Sequence, residues 1–141
     1  MDSFNNYSNN GTPANFDFGT QMPIPFSDAV YRSIYLNVSG TASLTAKAGP
    51  MDDTKTALAK SMIISKLGQA LSGLNGMSYK DLPSKSGEIS RFIAEGIADT
   101  FDVLSLQFLS FEPDQMSLKK IEKQDEMKRM ADPEYAAKKI L

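Results

Sequence analysis

An α+β domain is predicted by three features: period-two alternation in two segments, apolar spacing of three and four residues in two others, and a C-terminal run of mixed charge. The expected architecture is a small antiparallel sheet packed by two amphipathic helices and followed by a charged C-terminal helix. The expected division is a disordered polar tail at 1–20, the α+β domain at 21–112 and a helical extension at 113–141. No internal repeat is visible.

The first twenty residues are rich in Asn, Ser and Gly, with Phe16 and Phe18 as late apolar anchors. Pro23-Ile24-Pro25-Phe26-Ser27-Asp28 is extended. Its prolines lack amide donors, so it suits an edge or a lead-in and not a central strand. From Ser33 to Thr45, Ile34, Leu36, Val38, Ala42 and Leu44 share one parity, and Tyr35, Asn37, Ser39, Thr41, Ser43 and Thr45 take the other. That strand has one buried face and one wet one. Gly40 falls on the buried parity, where a missing side chain points to a bulge or a close contact with a helix. Gly49-Pro50 ends the element.

Asp52, Asp53 and Thr54 suit a helix N-terminus. Leu58, Met62, Ile63, Leu67, Leu71 and Leu74 then form an apolar stripe that stops at Asn75-Gly76. After Pro83 a second helix spans about 84–100, with Ile89, Phe92, Ile93, Ile97 and Phe101 on its apolar side and Glu88, Arg91, Glu95 and Asp99 facing water. The next strand covers Val103 to Phe111. Leu104, Leu106 and Phe108 form its apolar side, and Leu109 and Phe111 break the alternation. A charged helix runs from Asp114 to Met130 with a thin stripe of Met116, Leu118, Ile121 and Met127, and a short last helix starts at Pro133.

Composition excludes much of enzymology. Without Cys or His the chain forms no disulfide, no thiolate or imidazole zinc site and no Ser-His-Asp triad. A net charge of −2 argues against an electrostatic grip on nucleic acid. No apolar run approaches the ~20 residues of a membrane span, and no signal-peptide pattern is present. A cytoplasmic location is therefore expected.

Two carboxylates alone can support glycosidase-type chemistry. The pairs on offer, Asp52-Asp53 and Asp99 with Asp102, sit at helix ends, where capping explains them. Ser-Lys neighbours such as Lys60-Ser61, Ser65-Lys66 and Ser84-Lys85-Ser86 are adjacent in sequence. On a helix such neighbours point about 100° apart. Gly73-Leu74-Asn75-Gly76 matches the GxxG that clamps single-stranded nucleic acid in KH modules, within the order strand-helix-GxxG-helix-strand. The residues between its glycines are uncharged, and a helix C-cap explains the pattern as well. A KH-like module is the alternative function.

Several segments, taken in order, resemble the SPFH (band 7) superfamily of stomatin, prohibitin and flotillin, and within it the bacterial stomatin/prohibitin-like, virion-core-protein-like branch. The matching residues are Gly19-Thr20, Pro23-Ile24-Pro25 and Asp28, then Gly40-Thr41-Ala42-Ser43. They continue through Ser78-Tyr79-Lys80-Asp81-Leu82-Pro83, Glu88-Ile89-Ser90, and the strand from Val103 to Phe111 ahead of Pro113. The likeness covers about Phe18 to Met130. The family's further N-terminal strands and the branch's Cys-paired zinc ribbon have no counterpart here. The resemblance implies a non-catalytic scaffold that self-associates or binds other protein subunits, with peripheral attachment to the inner face of a membrane. The expected interaction surface comprises Met116, Leu118, Ile121, Tyr35 and Asn37. No cofactor and no catalytic, cofactor-binding or metal-ligating residue is expected.

Overall fold

The computed structural model describes residues 12–131. It is an α+β fold with a four-stranded antiparallel sheet. The strands are β1 (Ala14–Gly19), β2 (Ile24–Asp28), β3 (Arg32–Ala46) and β4 (Phe101–Pro113). The helices are α1 (Asp53–Ser72), α2 (Ser86–Gly96), preceded by a 3-10 turn at Tyr79–Lys85, and α3 (Gln115–Ala131).

β3 is the spine. On one edge it pairs with β1 (Ala14↔Leu44 to Gly19↔Ser39) and then β2 (Ile24↔Leu36 to Asp28↔Arg32), which lie end to end. On the other edge it pairs with β4, from Leu36↔Pro113 to Ala46↔Phe101. These registers match parity. Phe16, Phe18, Ile24 and Phe26 join Ile34, Leu36, Val38, Ala42 and Leu44 on one face, and α1 and α2 close the core over it. The opposite face carries Asn15, Asp17, Ser39, Thr41, Ser43, Ser105, Gln107 and Ser110, all exposed or half-buried, whereas Thr45, expected among them, is buried.

Several expectations need correction. Residues 14–19, assigned to a disordered tail, form β1. Only three alternating apolar positions mark it, and the surrounding Asn, Gly and Pro masked them. The sheet therefore begins at residue 14, inside the segment read as tail, while residues 1–11 of that tail lie outside the described residues, as does the helix expected from Pro133. The buried line of α1 is Ala59, Ile63, Leu67 and Leu71, an unbroken i+4 series, so Leu58 is left half-exposed. The helix expected over 84–100 is divided: Pro83 sits inside the 3-10 turn, and α2 ends at Gly96. Ile89, Ile93 and Ile97 are buried as expected, but Phe92 is 44% exposed and Phe101 belongs to β4.

β4 departs from simple alternation for a physical reason. Its register slips against β3 at Ser39/Gly40 and again at Ser43/Leu44, so Leu109 and Leu104 are extra residues without a partner. Each bulge restores the parity of the following residues. Phe101, Val103, Leu106, Phe108 and Phe111 all reach the core side, while Leu104 and Leu109 are 60% and 68% exposed. Leu104 is thus not a core residue.

The β2–β3 connection is a three-residue loop organised by Asp28, whose Oδ2 accepts from the amides of Val30 (2.8 Å) and Tyr31 (3.0 Å). Its Oδ1 accepts from the amide of Tyr79 (2.7 Å), joining the hairpin to the 3-10 turn. Arg32 follows with φ +65°, in the left-handed region common after such loops.

Candidate interaction surface

Four of the groups that sequence reading offered for catalysis carry structural bonds. Asp52 caps α1, accepting from the amide of Lys55 at 2.8 Å. Asp102 lies 3.4 Å from Lys47 on the surface. Ser84 and Ser86 donate to the carbonyls of Asp81 and Pro83 within their own turns. Among the described residues no cluster of acidic side chains is arranged to hold a metal ion.

The Gly73–Gly76 loop is bound to β2. Ser27 donates its amide to Asn75 Oδ1 (3.0 Å), and Gly76 donates to the carbonyl of Ser27 (2.7 Å). Ala29 donates to the carbonyl of Met77 (3.1 Å). These bonds occupy the outward-facing groups of Ser27. The next outward position, two residues earlier, is Pro25, which has no amide hydrogen. The β2 edge is therefore closed to strand addition, and its prolines fit the edge position that the sequence suggested.

The β3 edge beyond the end of β4 is closed differently. Asp114 donates its amide to the carbonyl of Tyr35 (2.9 Å), and the amide of Tyr35 donates to Ser117 Oγ (2.8 Å). Lys120 Nζ reaches the carbonyl of Ser33 (2.7 Å). The first turns of α3 thus stand where a continuing strand would pair. Asp114 also caps the helix, its Oδ1 accepting from the amide of Ser117 at 2.8 Å. Farther along, Tyr31 donates its hydroxyl to Asp125 Oδ1 at 2.9 Å, and its ring lies 6.4 Å from that of Tyr79. That acceptor, with burial and the neighbouring negative charge, pushes the Tyr31 phenol up to about 12.

The outer edge of β4 meets α2, where Ser90 Oγ donates to the carbonyl of Leu106 (2.9 Å). The two bulges interrupt the rest, a common protection of exposed edges.

The expected surface residues separate into two groups. Ile121 and Ser117 form the buried seam by which α3 sits on the body, so Ile121 is not available to a partner. Met116 (76% exposed) and Leu118 project from α3, and Tyr35 and Asn37 stand exposed on the polar side of β3. The stripe read from sequence mixed two faces: a helix needs only one apolar residue per turn or so to dock, and the backbone bonds of Tyr35 decided which. Met130 and the bulge residues Leu104 and Leu109 are also exposed, although Leu104 was read on the apolar side of its strand. Only the broken alternation of β4 hinted at the latter two.

No protein-family model matches this chain, and no curated protein matches it. Among the described residues no helix is long and apolar enough to cross a membrane.

Proposed function

We propose that this protein is a non-catalytic, self-associating interaction domain of the SPFH (band 7) kind, acting as a scaffold in the cytoplasm or at the inner face of a membrane. The observation that carries this reading is α3. It is docked through Ser117 and Ile121 alone among its buried residues, yet it displays Met116, Leu118, Met127 and Met130 to solvent. Met116, Met127 and Met130 lie on one side of that helix, and an exposed patch of large apolar side chains marks a contact surface more often than a solvated one. Asp52, Ser84 and Ser86, three of the groups considered for catalysis, serve as a helix cap and turn bonds, which favours a binding role over turnover.

The test is sedimentation velocity over a wide range of protein concentration. Association that weakens when Met116 and Leu118 are both replaced by Ser supports the reading. A strictly monomeric profile at the highest concentration, unchanged by those replacements, removes it. The KH-like alternative predicts salt-sensitive retention of single-stranded oligonucleotides.

A further inference from the structure

The geometry points to a head-to-tail contact between copies of this chain, in which the Met–Lys face of α3 from one copy seats on the acidic, Phe92-bearing face of α2 in the next. This inference rests on the self-association proposed above and names the two surfaces that would meet.

Consider the first surface. At 100° per residue, Met116, Lys119, Lys123, Met127 and Met130 fall within a sector of about 80° on α3, outside the seam formed by Ser117 and Ile121. All five are exposed. Lys119 and Lys123 have no ion-pair partner among the described residues. The helix carries five basic and three acidic residues, so it is positive on a chain whose net charge is −2.

The second surface is its complement. Glu88, Phe92 and Glu95 recur at i, i+4 and i+7 on one face of α2, with the exposed Arg91 at its border, so that side carries two acidic groups against one basic. All three are exposed. Phe92 borders a groove of about 230 Å³ between the C-terminal part of α1 and α2, lined also by Gln69, Leu74 and Glu88. Glu88 lies 3.5 Å from Lys85, whereas Glu95 has no ion pair among the described residues. A methionine side chain is flexible enough to fill an irregular apolar groove, and its thioether packs well against an aromatic ring. Flanking lysines would then meet Glu88 and Glu95. Opposite charges at the rim set register and orientation around an apolar centre.

Because the two faces differ, the contact is heterologous. It propagates into a ring if the rotation closes and into a filament if it does not. That mode of assembly suits a scaffold.

The experiment uses two full-length variants, Lys119→Glu/Lys123→Glu and Glu88→Lys/Glu95→Lys, with sedimentation velocity as the readout. Hydrogen exchange at the Tyr35 amide verifies that α3 stays docked in both. Each variant alone should lose concentration-dependent association by at least about tenfold. An equimolar mixture should recover it, because every α3 face again meets an α2 face of opposite charge. Phe92→Ser should weaken association without a change of charge. If the wild type associates and neither charge reversal alters it, the pairing is wrong while the self-association reading stands. If the wild type never associates, both fall. If the α3 reversal abolishes binding to vesicles of anionic lipid but leaves self-association intact, the Met–Lys face belongs to a membrane surface and the contact proposed here is overturned.

Discussion

The ring of Phe18 stands over the backbone of Gly40: a Cβ built there would lie 2.5 Å from Phe18 Cζ and would meet the carbonyl oxygen of Gln107. Phe18 in turn meets Phe108 edge-on, with ring centroids 5.7 Å apart. The glycine thus lets β1 deliver an aromatic ring to the centre of the sheet. Gly40→Ala should destabilise the fold by about 2–3 kcal/mol, the range for overpacking a filled core. Urea unfolding measures this, and a double-mutant cycle with Phe18→Leu should recover part of the loss. Additive effects of the two changes would show that the ring is not what excludes the methyl.

Asp28 holds three amides with one buried carboxylate, from Val30, Tyr31 and Tyr79. Asp28→Ala leaves those donors without their acceptor and should lower stability by about 2–4 kcal/mol. Asp28→Asn keeps the shape but turns a donor toward an amide, so it should fall between the two in the same unfolding measurement. An unchanged midpoint in Asp28→Ala would remove the role assigned to it.

Tyr31 carries a pH signature. The phenol is raised from 10.0 to about 12 in the folded chain, first by its bond to Asp125. Between about pH 10 and 12 the folded state keeps a proton that the unfolded state releases. The stabilisation is therefore complete below pH 10 and disappears as pH rises through 12. A tyrosinate absorbance titration of the wild type minus Tyr31→Phe should show this phenol ionising well above 10.0, and Asp125→Asn should lower its midpoint. A midpoint that ignores Asp125→Asn would contradict the hydrogen bond.

The two bulges separate neighbours of like chemistry. Leu106→Ala removes a buried side chain and should cost about 2–4 kcal/mol, whereas Leu104→Ser and Leu109→Ser should each stay within about 0.5 kcal/mol. Thermal or urea unfolding of the three variants orders them. Equal losses at 104 and 106 would mean that the strand is paired without its bulges.

Much of the architecture was legible. The alternation at Ile34, Leu36, Val38, Ala42 and Leu44 and the i+4 recurrence of Ile63, Leu67 and Leu71 are local patterns that burial on one face imposes wherever the chain folds. The capping carboxylate of Asp52 and the edge character of Pro23-Ile24-Pro25 were legible for the same reason, since each acts on backbone groups a few residues away. β1 was not. Three apolar residues are too few to stand out locally, and they become a strand only when β3 supplies partners of matching parity.

Composition and spacing by themselves determined the class of fold, the absence of thiol and imidazole chemistry, and which face of β3 is buried. Tertiary structure alone decided the rest. It placed β1 and β2 end to end along one edge, seated α3 on the open end of β3 through Tyr35 and Ser117, and turned Leu104 and Leu109 outward while Ile121 went inward. The physical reason is common to all three. Periodicity records how much of an element is buried, but the choice of apolar residues that meet the core depends on unpaired backbone donors and acceptors elsewhere in the chain, which must be satisfied at the same time.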